Sequence, residues 1–234
     1  MRIPALQFTI KELQPRIFHV EFENQRDLSH SMMRLQEFYE GVDENIRGNY
    51  FTLEEFLHHF TNENGEFKYT NMWSGFNVPG TVVDNWFRIF LAQTSGLTEK
   101  ERQVMLALFQ KKSGTSLWYL IATAKRTDSK GIIKHELAHA KFYLSQRYRQ
   151  TCEALIDKIE PFELEYMSKC LTDIGYADHV IIDEIQAYLS TSKKPDLKYL
   201  FGKLSADTMK LVNEFRSNYA NKELMTMDAS HDQG

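Results

Sequence analysis

Residues 134–140 read Lys-His-Glu-Leu-Ala-His-Ala, which sets His135 and His139 four positions apart with Glu136 beside the first. On an α-helix, residues four apart share a face, about one turn from each other. Two imidazoles so placed can reach one ion through bonds of roughly 2 Å. Glu136 is turned about 100° around the helix from His135. Its carboxylate then lies beside the ion, where it can take a proton from a water that the metal has made more acidic. The chemistry available to these residue types at this spacing is metal-assisted hydrolysis, with Glu136 as general base. The plain alternative is a partly buried helix whose two histidines are hydrogen-bonded and whose glutamate faces water.

Zinc in a catalytic site takes three protein ligands and keeps a position open. One known extension of the motif places glycine three and histidine six residues beyond the second histidine. Here those positions hold Phe142 and Ser145, so that extension fails. A later segment, residues 178–189, offers Glu184 as a candidate third ligand. Val180, Ile181 and Ile182 make its helix apolar on one side, and an acidic residue there wants a partner. Ala187 one turn on suits close approach of a second helix. Asp183, Asp173 and His179 are rivals for the same position. A hydrogen-bond donor for a developing oxyanion is also needed. Tyr143, Tyr176, His179 and Tyr188 qualify by position, and His179 and Tyr188 are the two selected. For each tyrosine a core role with a bonded hydroxyl is the ordinary alternative.

On these residues the chain resembles the zincin metallopeptidases, in their glutamate-ligand or gluzincin branch. The resemblance spans roughly Leu117 to Leu189: a strand, the H-E-x-x-H helix, and a second helix with E-x-x-A. It implies one catalytic Zn2+ held by His135, His139 and Glu184, with Glu136 as base and a peptide or protein as substrate. It also implies that extended substrate pairs with the edge of the strand before the active-site helix, here Leu117 to Lys125.

These residues need elements to position them. The 234 residues allow a sizeable core, and 42 % hydrophobic with 26 % charged residues is ordinary for a globular chain. A formal net charge of −4 without a Lys/Arg block gives a nucleic-acid partner no electrostatic support. No signal peptide or membrane-length apolar run is visible, so the expected compartment is the cytoplasm with no membrane partner. Cys152 and Cys170 are read as reduced. The adjacent histidines His58 and His59 point apart on a helix and make a poor metal pair.

Residues 16–22 alternate as a strand and 27–41 carry helical spacing up to Gly41. Thr52/Glu55 and Thr98/Glu101 are capping boxes that each open a helix. Residues 67–80 read as an ordered aromatic loop and 81–90 as a helix. Residues 116–125 form the strongest strand, followed by a long helix over 131–149 whose start Asp128 or Ser129 can cap. The remainder reads as helices, with Asp178 in a capping position and a loop at Pro195. The expected fold is α+β, a small N-terminal sheet with helices followed by a mostly helical C-terminal half. Residues 1–224 are expected to form one catalytic domain, with a mixed part at 1–115 and the strand, active-site helix and C-terminal helices at 116–224. Residues 225–234 read as a disordered tail. Two non-enzymatic readings stand beside this one. The first is an interaction protein stabilised by a closed, four-coordinate zinc. The second is a metal-free helical adaptor.

Overall fold

The computed structural model describes residues 6–125 and 129–225. Asp128 and the tail from 226 lie outside them. The fold is α+β, with a four-stranded sheet in the N-terminal part and a mostly helical remainder. The chain divides into two compact units, one ending at Ile133 and one beginning at Lys134. Among the described residues, no helix is long and apolar enough to cross a membrane.

In the first unit, strands β1 (Phe8–Gln14) and β2 (Ile17–Phe22) form an antiparallel hairpin. Pro15 and Arg16 make its turn, with Arg16 at φ 67°. Proline followed by a residue of positive φ is the type II pattern, normally completed by glycine or asparagine. Without that glycine, and with a register irregularity between Glu12 and Gln14, β1 leaves no hairpin signature in the sequence. Strand β3 (Gly75–Pro79) is the other unforeseen strand, lying in the segment read as a loop. Strand β4 (Tyr119–Ala124) runs parallel to β2 and antiparallel to β3, giving the order β1-β2-β4-β3.

That order overturns the expectation of substrate pairing along Leu117 to Lys125. Strand β4 is interior, and its backbone groups are taken by β2 on one side and β3 on the other. Its continuous apolar run is the signature of burial on both faces, and all six of its residues are buried.

The link from β2 to β4 carries α1 (Gln25–Glu40), α2 (Leu53–His59), α3 (Gly80–Leu91) and α4 (Glu99–Lys111). One sheet face, with Phe18, Val20, Leu120 and Ala122, joins Leu28, Met32, Leu35, Trp86, Phe90 and Leu108 in the core. Both capping boxes are present at α2 and α4. Phe56 of α2 is buried in this core, and Leu57 beside it is exposed.

Glu101 does more than cap α4. It accepts from the Thr98 backbone N–H at 2.7 Å and also pairs with the fully buried guanidinium of Arg34, whose Nε lies 2.8 Å from its Oε1. Arg34 donates further to the carbonyls of Phe51 and Gly96. Removing one partner of a buried ion pair strands the other charge and costs about 3–5 kcal/mol. Glu101→Leu and Arg34→Met are each expected to destabilise by that amount, and the double variant by less than their sum. Trp73, Trp86 and Trp118 all lie in this unit, so denaturation followed by tryptophan fluorescence reads the effect directly.

The second unit is helical: the end of α5 (Ser129–Leu144), then α6 (Gln146–Ile156), α7 (Pro161–Asp173), α8 (Ile181–Thr191), α9 (Lys194–Phe201) and α10 (Ala206–Ala220). Its core holds Tyr148, Met167, Leu171, Ile185, Leu189, Phe201, Val212 and Phe215. The long helix expected over 131–149 breaks at Ser145. This residue is extended, caps α6 through the Tyr148 N–H, and donates its hydroxyl to the Leu224 carbonyl at 2.5 Å. Asp178 makes no side-chain cap; it sits within a short 3₁₀ turn, Asp178–Val180, that leads into α8. Pro195 lies in the first turn of α9 and not in a loop, a position where its missing N–H costs nothing.

Candidate metal centre

Helices α5 and α8 place the chemistry. On α5, His135 and His139 project from one face, ring centroids 4.9 Å apart, as the four-residue spacing requires. Helix α8 is buried nearly all round: Ile181, Ile185 and Leu189 enter the core, while Glu184, Gln186, Ala187 and Ser190 are buried elsewhere on it. Glu184 is thus carried into the interior by a helix that folds for its apolar residues, and its exposure is only 2 %.

The three side chains converge. His135 Nε2 and His139 Nε2 are 3.3 Å apart, His135 Nε2 is 3.5 Å from Glu184 Oε2, and His139 Nε2 is 3.5 Å from Glu184 Oε1. Among the described residues, these three form the one group of donors able to hold a metal ion. All come from the second unit.

What faces the other ring nitrogens decides what the cluster can do. His139 Nδ1 lies 3.0 Å from Asp183 Oδ1, an acceptor. His135 Nδ1 lies 3.3 Å from Thr191 Oγ1, whose own proton goes to the Ala187 carbonyl at 2.6 Å. The Thr191 oxygen therefore accepts. Both Nδ1 atoms are donors in this arrangement, and both Nε2 atoms turn lone pairs towards a carboxylate. Glu184 Oε2 is buried and makes no hydrogen bond. Two ring nitrogens and a buried carboxylate facing one another suit a cation at their centre. The residues fit a metal ion.

The electrostatics agree. Burial works against the charged form of His139, yet Asp183, Glu184 and Glu136 together raise its pKa well above the ordinary value. Burial likewise opposes ionisation of Glu184, and His139, His135 and Tyr176 still hold its pKa below the usual range. The pocket is built for positive charge, whether a proton or a metal.

Glu136 is buried and stands outside the three-donor group, and its charge is felt at His139, Tyr176 and Tyr188. The Tyr188 ring packs against His135 at 4.6 Å, and its hydroxyl lies 3.2 Å from that of Tyr176. Burial and Glu184 push the Tyr188 phenol up to about 12, so it stays protonated at neutral pH. His179 is exposed on the 3₁₀ turn before α8.

Of the rivals for the third ligand, Asp183 binds the far nitrogen of His139, and Asp173 is exposed and paired with Lys169. Cys152 and Cys170 are unbridged. Cys152 is buried near Gln186, and burial pushes its thiol up to about 12, far from a thiolate ligand. Thr191 was invisible to sequence reasoning; its one signal is that it follows Glu184 by seven residues, two turns along the same helix face.

Partners on the remote nitrogen of a ligating histidine fix its tautomer and raise its basicity, and losing one lowers metal affinity by about 10–100-fold. Asp183→Ala is expected to lose affinity in that range while keeping the helical fold. Competition with a chromophoric chelator measures it.

The fold and the site define an α+β chain whose helical unit carries a buried two-histidine, one-glutamate centre able to hold a metal ion. No protein-family model, curated protein or solved structure matches the chain.

Proposed function

We propose that the chain is a zinc-dependent metallopeptidase of the zincin kind, in the glutamate-ligand branch, acting on a peptide or protein. The observation that carries this reading is the convergence of His135 Nε2, His139 Nε2 and the buried Glu184 carboxylate, with a polar partner behind each imidazole. The spacing is compatible with zinc. Tetrahedral bonds of about 2.0–2.1 Å hold ligand atoms roughly 3.3 Å apart, and the observed separations are 3.3, 3.5 and 3.5 Å.

When bound, zinc supplies Lewis acidity, polarising a carbonyl and making a neighbouring water a better acid. The protein's own groups do the rest. Glu136 takes the proton of the attacking water on its carboxylate and passes it to the leaving amine nitrogen. The Tyr188 hydroxyl, protonated and next to His135, donates a hydrogen bond to the oxygen that gains charge. His135, His139 and Glu184 hold the ion.

A closed, purely structural zinc needs a fourth protein donor. Among the described residues none joins the three, which favours an open position and catalysis over the interaction-protein reading.

The test is a screen of the zinc-loaded chain against a peptide library and unfolded proteins, with products mapped by mass spectrometry. Cleavage that a chelator abolishes and zinc restores is expected. A chain that holds one zinc and cuts nothing in the screen overturns the peptidase reading.

A further inference from the structure

Behind Asp183 a buried chain of polar side chains continues through the second unit. Gln186 Nε2 donates to Asp183 Oδ1 at 2.8 Å, the same oxygen that faces His139 Nδ1. The other end of the amide, Gln186 Oε1, accepts from the Tyr148 hydroxyl at 3.2 Å and lies 3.9 Å from Cys152 Sγ. Tyr148 also meets the Ser190 hydroxyl at 3.3 Å. Gln186, Ser190 and Tyr148 are fully buried.

From this geometry we infer that Gln186 is a positioning residue for the metal centre, acting through Asp183 on His139. The inference rests on the zinc reading above. Its logic is the polarity of the amide. A glutamine has a donor end and an acceptor end. Here the acceptor end meets the Tyr148 hydroxyl and the Cys152 thiol, and the donor end meets Asp183, a carboxylate that only accepts. Flipping the amide would set its oxygen against that carboxylate, two acceptors in contact. The donor end is therefore pinned on Asp183, which is held as an acceptor with its Oδ1 fixed towards the imidazole. The proton of His139 then stays on Nδ1, and the Nε2 lone pair stays aimed at the ion.

A wholly apolar replacement of Gln186 leaves Asp183 without its partner, so the carboxylate is free to turn away from His139. Outer partners of metal-binding histidines typically change affinity by about 10–100-fold, and a residue one step further out belongs at the lower end. Gln186→Leu is expected to weaken zinc binding by about 10-fold. It is also expected to alter the visible spectrum of the cobalt-substituted protein, a readout that a loss of packing alone does not move.

The deciding experiment is a double-variant cycle on zinc affinity, measured by chelator competition on the full chain. In the Asp183→Ala background, Gln186→Leu is expected to change affinity by less than about 2-fold, because the group it acts through is gone. Equal losses in both backgrounds, or wild-type zinc affinity and cobalt spectrum in folded Gln186→Leu, overturn the inference. If Gln186→Leu does not fold, Gln186→Met, of matching length and flexibility, is read in the same cycle. If the wild type itself binds no zinc, the reading of the centre fails; if it binds and the Gln186 variants bind equally well, only the role of Gln186 fails.

Discussion

Glu136→Gln is expected to keep one zinc per chain and to lose about 10²–10⁴-fold in kcat/KM on any peptide the wild type cuts. That loss corresponds to roughly 3–5 kcal/mol of transition-state stabilisation at 1.36 kcal/mol per decade. Glutamine has nearly the shape of glutamate, so the buried site around residue 136 need not repack. It cannot accept a proton, so the step it removes is the transfer from water to the leaving amine. Metal content should hold because Glu136 is not one of the three converging donors.

A second measurement separates this cause from misfolding. Zinc should raise the thermal stability of Glu136→Gln about as much as that of the wild type, since stabilisation by a ligand follows its affinity for the folded chain. Full activity in a variant that holds its metal ends the general-base mechanism. Loss of metal together with activity moves Glu136 from the chemistry to the coordination of the ion.

The parts of the site that could be read from the sequence are those set by a single helix. His135 and His139 share a face because of the helical repeat, and that holds whatever surrounds them. Glu184 was legible because an acidic residue sat in a strongly apolar helix, where it needs a partner. The capping boxes at Thr52 and Thr98 were legible for the same local reason.

What escaped depends on contacts far along the chain. Strands β1 and β3 depend on pairing with β2 and β4, and the alternation in each is short, over Phe8 to Lys11 and Phe76 to Val78. The break at Ser145 rests on a hydroxyl bonded to the carbonyl of Leu224. Asp183 was weighed as a ligand because a sequence shows a carboxylate near a metal site but not which imidazole nitrogen it faces. Thr191 and Gln186 are ordinary polar residues until the fold sets them behind the histidines and Asp183.

Removing a ligand is the second large effect. His139→Ala and Glu184→Ala are each expected to purify with no bound metal, against about one zinc per wild-type chain by elemental mass spectrometry. Zinc at 100 times its dissociation constant should stabilise the wild type by about 2.7 kcal/mol and these variants not at all. The comparison with Asp183→Ala carries the discrimination. Asp183 and Glu184 are adjacent carboxylates, both within 3.5 Å of a nitrogen of His139. A ligand and an orienting partner differ in degree: loss of the first abolishes the site, and loss of the second weakens it by about 10–100-fold. Glu184→Gln refines the test, because it keeps side-chain volume and removes charge. Metal loss there too shows that it is the carboxylate's charge, aimed at two imidazole lone pairs, that holds the ion. Should Asp183→Ala lose the metal outright while Glu184→Ala keeps it, the roles of the two are exchanged and the third ligand is Asp183.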